Sequence, residues 1–235
     1  MYAITVKNVN EAWEKTFDEL LKIVETGIGP ATSRDGDVCA EIINAAIEVE
    51  DPTRNLVLSE RRKMPIRYAV SELLWYLSQN NKLSAIQNFT QAWNRMSDDG
   101  VYVNSNYGHC IHKKFGFDQW DMVKTLLKKD SNSRQAVIHI KEARDVVCEP
   151  TKDLNCTCTL QFFIREGKLH MTTYMRSNDV WMGLPYDMFA FTCLQMLMAM
   201  ELDVGIGTYT HIAGSLHLYQ RDFETYLAQK EKLSS

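Results

Sequence analysis

A chain of 235 residues, 45% hydrophobic and 24% charged, has the composition of a folded domain and the length to bury a sizeable core. Its formal charge of −4 argues against a general polyanion-binding surface, so any phosphate must be held by a few placed arginines. The six cysteines (39, 110, 148, 156, 158 and 193) have neither the density of a secreted disulfide scaffold nor the partner ligands of a zinc site, which excludes both classes.

Met1 to Val6 runs into Lys7 and Asn8 without the charged-then-apolar pattern of a leader. Asn10 to Glu25 carries Trp13, Phe17, Leu20, Leu21 and Val24 at helical spacing, and Gly27-Ile28-Gly29-Pro30 stops it. Val38 to Val49, mostly apolar with β-branched residues, predicts a strand with irregularities. Ile66 to Leu77 predicts a buried helix, and Trp120 to Leu127 another, closed by Lys128, Lys129 and Asp130. The second half turns strand-rich: Ala136–Ile140, Thr159–Ile164, Leu169–Met175 and Tyr209–Tyr219, with a hairpin at Glu166-Gly167 and a turn at Gly205-Ile206-Gly207. Between them Tyr186 to Leu202 predicts a long apolar helix, and its apolar stretch from Phe189 is too short to span a bilayer. Helices flanking a mixed sheet give an α/β or α+β layered domain, expected as a single unit over 1–235. A cytoplasmic location with reduced thiols is the matching expectation.

Several groups stand out chemically. Cys156 sits in Leu154-Asn155-Cys156-Thr157, about twenty residues before Met175-Arg176-Ser177-Asn178-Asp179, with Asp187 following. A thiolate adds to an electron-poor ring carbon, an arginine holds a phosphate, and a carboxylate reads a heterocycle edge, which points to covalent chemistry on a nucleotide. Glu72, inside Ala69-Val70-Ser71-Glu72-Leu73-Leu74-Trp75, lies either on a solvated stripe or facing inward, where desolvation raises its pKa and lets it move protons. His217 and Tyr219 alternate with Leu216 and Leu218, giving one polar strand face that either lines a pocket or holds a satisfied core histidine.

Taken in order, these motifs resemble the thymidylate synthase superfamily, which includes the pyrimidine nucleotide hydroxymethylases. Ser71-Glu72-Leu73-Leu74-Trp75-Tyr76-Leu77 is similar to the family's catalytic-glutamate helix, and Asn104-Ser105-Asn106-Tyr107-Gly108 to its tyrosine-glycine turn. Ser131-Asn132-Ser133-Arg134 resembles the segment whose arginine reaches the partner subunit's phosphate site, and Asn155-Cys156 the nucleophile loop. Met175-Arg176-Ser177-Asn178-Asp179 and Gly183-Leu184-Pro185-Tyr186-Asp187 resemble the phosphate-binding and base-reading segments, and Gly214-Ser215-Leu216-His217-Leu218-Tyr219 the sugar-contacting strand.

The resemblance implies a homodimer in which Cys156 adds to C6 of a pyrimidine, C5 takes the methylene of 5,10-methylenetetrahydrofolate, and Glu72 manages protons and water. Asp179 joins them as a catalytic and folate-contacting residue, with Trp93 beside the folate. Arg34, Tyr107, Arg134, Arg176, Ser177, Asn178, Asp187, His217 and Tyr219 are the implied substrate contacts. Metal, membrane and nucleic acid are not expected. Against the synthase pattern, Thr157 replaces a histidine, Asp187 replaces an asparagine, Gln135 follows Arg134 where a second arginine is usual, and only 16 residues follow Tyr219. A carboxylate mismatches uracil O4 but accepts from the cytosine amino group. A short lid would also leave water access to the intermediate. The expectation is therefore dCMP 5-hydroxymethylation. Thymidylate synthase, CMP hydroxymethylase and a non-catalytic nucleotide- or RNA-binding paralogue remain as alternatives.

Overall fold

The structure is a computed structural model that describes residues 1–27, 31–32, 36–146 and 151–234. Its regular elements, in chain order, are β1 (Tyr2–Val6), α1 (Val9–Thr26), β2 (Ala31–Thr32), β3 (Val38–Val49), α2 (Ile66–Leu77), α3 (Tyr107–His112), α4 (Gln119–Lys129), β4 (Val137–His139), β5 (Thr157–Arg165), β6 (Lys168–Met175), β7 (Asn178–Asp179), α5 (Leu184–Leu202), β8 (Gly205–Tyr219) and α6 (Gln220–Ser234). The fold is α/β: the strands form a mixed eight-stranded sheet, accompanied by helices. The chain divides into two compact units, one of Met1–Met64, Met175–Cys193 and Gly207–Ser235, the other of Pro65–Tyr174 and Leu194–Ile206.

In the first unit, the helical spacing expected near the N-terminus becomes α1. Asn8 Oδ1 caps it by accepting from the Glu11 amide at 3.0 Å, and Gly27, at φ 65, ends it in the left-handed region. Its inward face carries the fully buried Trp13, Phe17 and Leu20. Trp13 stacks on Phe17 at 4.8 Å, Trp181 tilts against both, and Trp13 Nε1 donates to the Val180 carbonyl at 2.9 Å. This aromatic cluster ties α1 to the segment that follows Asp179. β3 pairs parallel with β1 and antiparallel with β8, and its register passes from Ile43↔Ser215 to Ala45↔Ala213. Asn44 between them takes φ 58, which is the irregularity expected within this strand.

In the second unit, α2 has the predicted bounds but an inverted polarity. Ser71 and Glu72 are buried with Trp75 and Tyr76, while Ile66, Val70, Leu74 and Leu77 are exposed. α3 packs on α2 at closest approach: a Cβ on Gly108 would lie 1.6 Å from the Tyr76 carbonyl oxygen, so only glycine fits. Tyr107-Gly108, expected in a turn, instead opens α3, because Asn106 Oδ1 accepts from the His109 amide at 2.7 Å and caps a helix. β5 and β6 form the expected hairpin, with Glu166 and Gly167 at φ 52 and 69. Gly205-Ile206-Gly207 is not a turn. The reversal falls on Asp203, at φ 54, and Gly205 already begins β8, its amide donating to the Gly167 carbonyl at 2.9 Å. Leu184 to Cys193 of α5 belong to the first unit and Leu194 to Leu202 to the second.

Candidate active site

The second unit holds Cys156 and Glu72, the expected nucleophile and proton carrier, together with several aromatic side chains. Burial pushes the Glu72 carboxyl up to about 7, against the opposing effect of hydrogen bonds from Tyr68 and Tyr76; the Tyr68 hydroxyl donates to Oε1 at 2.8 Å. Near neutral pH such a group is divided between its two protonation states, as a general acid and base requires. Around the same helix, Trp75 lies 5.1 Å from Trp93 and Tyr76 lies 5.0 Å from Tyr107, measured between ring centroids. The buried indole Nε1 groups of Trp75 and Trp93 have no hydrogen-bond partner among the described residues.

Cys156 occupies the bend immediately before β5 and is half-buried. Its loop is pinned from both sides: Asp153 Oδ2 accepts from the Ser105 amide at 2.9 Å, and Asn155 Nδ2 donates to the Ile140 carbonyl at 3.5 Å. Asn155 also reaches Cys110 of α3 at 3.8 Å, so α3 touches both the Cys156 loop and, at Gly108, the helix carrying Glu72. By contrast Cys110 is fully enclosed, its thiol pushed up to about 11 by burial, which suits a structural thiol rather than a nucleophile. Arg134, just before β4, is exposed.

The first unit assembles the groups expected to bind a nucleotide. β7 runs parallel to β8 in the register Asn178↔Leu216 and Asp179↔His217, and the Ser215 amide donates to the Arg176 carbonyl at 3.1 Å. Backbone pairing thus lays Arg176 to Asp179 alongside Ser215 to His217. Arg176 is exposed, Ser177 half-buried and Asn178 buried. Asp179 Oδ1 accepts from the Trp181 and Met182 amides at 2.7 and 3.1 Å, while burial raises its pKa against those bonds. Burial lowers the His217 pKa and keeps the ring neutral at neutral pH; it meets Tyr219 edge-on at 4.8 Å between centroids. Asp187, in the first turn of α5, accepts from Asn178 Nδ2 through Oδ2 at 2.7 Å. Gly183 permits this pairing, since a Cβ there would lie 2.9 Å from Asn178 Nδ2 and 3.3 Å from Asp187 Oδ2.

Arg34 lies outside the described residues. Three groups were not anticipated from sequence. Arg62 is buried between the faces of Trp181 and Tyr186, its Nη2 near the Tyr186 hydroxyl at 3.3 Å, while Nε and Nη1 have no hydrogen-bond partner among the described residues. Asp222 is pushed up to about 6, first by burial and then by the charge of Asp179. His211 bonds Asn178 from the buried side. Only a charged residue inside an apolar run signals such groups, and Arg61-Arg62-Lys63 reads as a solvated basic cluster. Among the described residues no cluster of His, Cys, Asp and Glu could hold a metal, and no helix is long and apolar enough to cross a membrane.

Comparison with known proteins identifies the family. The family model described as "Thymidylate synthase" matches residues 15–234. A curated relative, the deoxyuridylate hydroxymethyltransferase of Bacillus phage SP01, is 30% identical over 209 residues. That alignment covers 81% of this chain but 55% of the phage protein, so the chain spans about half the length of that relative.

Proposed function

The chain belongs to the thymidylate synthase family, and from that premise we propose that it is a pyrimidine deoxynucleotide C5-hydroxymethyltransferase with dCMP as substrate. The observation that carries the choice of base is the Asp187–Asn178 pairing at 2.7 Å. An ionised carboxylate accepts and cannot donate, so it complements the cytosine amino group and opposes uracil O4. A buried acceptor facing another acceptor costs about 1–3 kcal/mol, enough for roughly 10- to 100-fold discrimination.

In this reading Cys156 attacks C6 of the base, and its S–C6 bond makes C5 nucleophilic. The folate co-substrate supplies the one-carbon unit, and the net reaction consumes water and releases tetrahydrofolate unoxidised. Glu72, half protonated near pH 7, gives and takes protons at the base and orients water, with Tyr68 fixing its carboxyl. Arg176 and, across a homodimer, Arg134 hold the phosphate; Ser177, His217 and Tyr219 hold phosphate and sugar; Asp179 and Trp93 hold the folate. Tyr107 lines the base pocket, and Arg34 completes the phosphate site.

Two observations support hydroxymethyl transfer over methyl transfer. Thr157 stands where the synthases carry histidine, and the phage relative is named for a hydroxymethyl transfer. The same relative is named for deoxyuridylate, which favours a second reading in which the base is uracil and the product class is unchanged. Mass spectrometry after incubation with 5,10-methylenetetrahydrofolate and each of dCMP, CMP and dUMP tests all of this. A gain of CH2O on dCMP is expected. A gain of CH2 with dihydrofolate formation makes the protein a methylating synthase, and turnover confined to dUMP removes the cytosine assignment.

A further inference from the structure

Asn178 does not hold Asp187 alone. His211, fully buried on β8, places Nε2 3.0 Å from Asn178 Oδ1, and its Nδ1 lies 2.9 Å from the Tyr209 hydroxyl, itself fully buried. The four side chains therefore form one hydrogen-bonded row, Tyr209–His211–Asn178–Asp187, with Gly183 pressed against its end. We propose that Tyr209 and His211 are positioning residues that lock the direction of the Asn178 amide, and thereby hold Asp187 as a hydrogen-bond acceptor toward the base. The role given to Asp187 rests on the reading above; the direction of the row does not.

The direction follows from donor counting. The Asp187 carboxylate can only accept, so Asn178 must turn its NH2 toward it and present Oδ1 to His211. Oδ1 in turn needs a donor, so His211 carries its proton on Nε2. Burial drives the His211 pKa down to about 3, so the ring is neutral and has one N–H only. Nδ1 is then an acceptor and takes the Tyr209 hydroxyl proton. Each bond fixes the next, as an outer partner fixes the tautomer and orientation of a ligating group in a metal site.

Reversing the row is costly. A proton on Nδ1 would make Nε2 an acceptor, flip the amide, and point Asn178 Oδ1 at the Asp187 carboxylate. Two oxygens at that separation repel unless a proton on Asp187 bridges them, and either outcome disturbs the carboxylate held toward the base. The His211 tautomer and the base preference are thus coupled through one buried amide.

Two measurements decide it. In the 15N-histidine-labelled wild-type protein, the imidazole nitrogen shifts of His211 should report the Nε2–H tautomer; an Nδ1–H tautomer overturns the proposal. In steady-state kinetics, His211→Leu should lower the ratio of kcat/KM on dCMP to that on dUMP by about tenfold, the size expected for one buried hydrogen bond to a charged system. His211→Gln, which can still donate to Asn178, should recover part of that ratio. Tyr209→Phe should lower it less and loosen the tautomer. A folded His211→Leu protein with the wild-type ratio also overturns the proposal; if His211→Leu does not fold, Tyr209→Phe and the wild-type tautomer decide. A wild-type enzyme that prefers dUMP refutes the cytosine reading alone, since the tautomer still tests the row.

Discussion

Replacing Glu72 by Gln should separate the stability of this protein from its chemistry. Burial raises the Glu72 carboxyl from 4.5 to about 7. The folded state therefore keeps a proton that the unfolded chain has already released. The sign follows: below pH 4.5 both states are protonated and no penalty exists, and stability is lost as pH rises from there through about 7. At 1.36 kcal/mol per decade, the ionised group costs about 3 kcal/mol of folding stability at about pH 8. Glutamine removes that ionisation while keeping the shape and an acceptor for Tyr68. Glu72→Gln should therefore match the wild type near pH 4.5, exceed it by about 2–3 kcal/mol at about pH 8, and melt roughly 4–12 °C higher there. Turnover should fall by about 100-fold or more, since the proton carrier is gone. Urea unfolding at several pH values, followed by far-UV circular dichroism, measures the first effect directly. Parallel stability curves for the two proteins across this range would refute the inward, desolvated carboxyl.

Other outcomes follow from the same geometry. Cys156→Ala should cut turnover by at least about 1,000-fold with Tm changed by no more than about 2 °C, while Cys158→Ser stays much closer to wild type; retained turnover in Cys156→Ala removes the covalent route. Arg134→Ala and Cys156→Ala, each inactive alone, should recover up to about a quarter of wild-type activity after subunit exchange, because half of the dimers then carry one intact site. No recovery in a mixture shown to have exchanged places Arg134 outside a shared site. Asp187→Asn should move the dCMP to dUMP preference by about 10- to 100-fold toward dUMP, read as a ratio of kcat/KM.

Residue spacing was sufficient to place several elements along the chain. The bounds of α1, β3 and α2, and the Glu166-Gly167 hairpin, could be read from residue spacing and turn chemistry alone. It was insufficient where tertiary contact reversed the ordinary rule. In α2 the glutamate is inside and four apolar side chains are outside, so its sequence could not say which face was solvated. Gly205 and Gly207 suggested a turn, yet both lie in β8, because Asp203 takes the left-handed conformation instead. At the site, Cys156, Glu72 and Asp187 could be picked out because each is chemically conspicuous in its local run. Asn178 could be laid beside Leu216 only by the β7–β8 register, and beside His211 only by the long-range approach of β8 to that loop. Those pairings join residues more than thirty positions apart and leave no mark on local pattern.

Gly108 deserves its place in this picture as a mechanical gauge. The Tyr76 carbonyl stands where any side chain at this position would begin, and Tyr76 is also one of the two tyrosines that hydrogen-bond Glu72. A single added methyl group must push α2 and α3 apart, and the displacement is delivered to a tyrosine that holds the Glu72 carboxyl. The narrowest tolerance around Glu72 thus belongs to a residue with no functional group. The spacing between these two helices can be kept only by leaving that position bare.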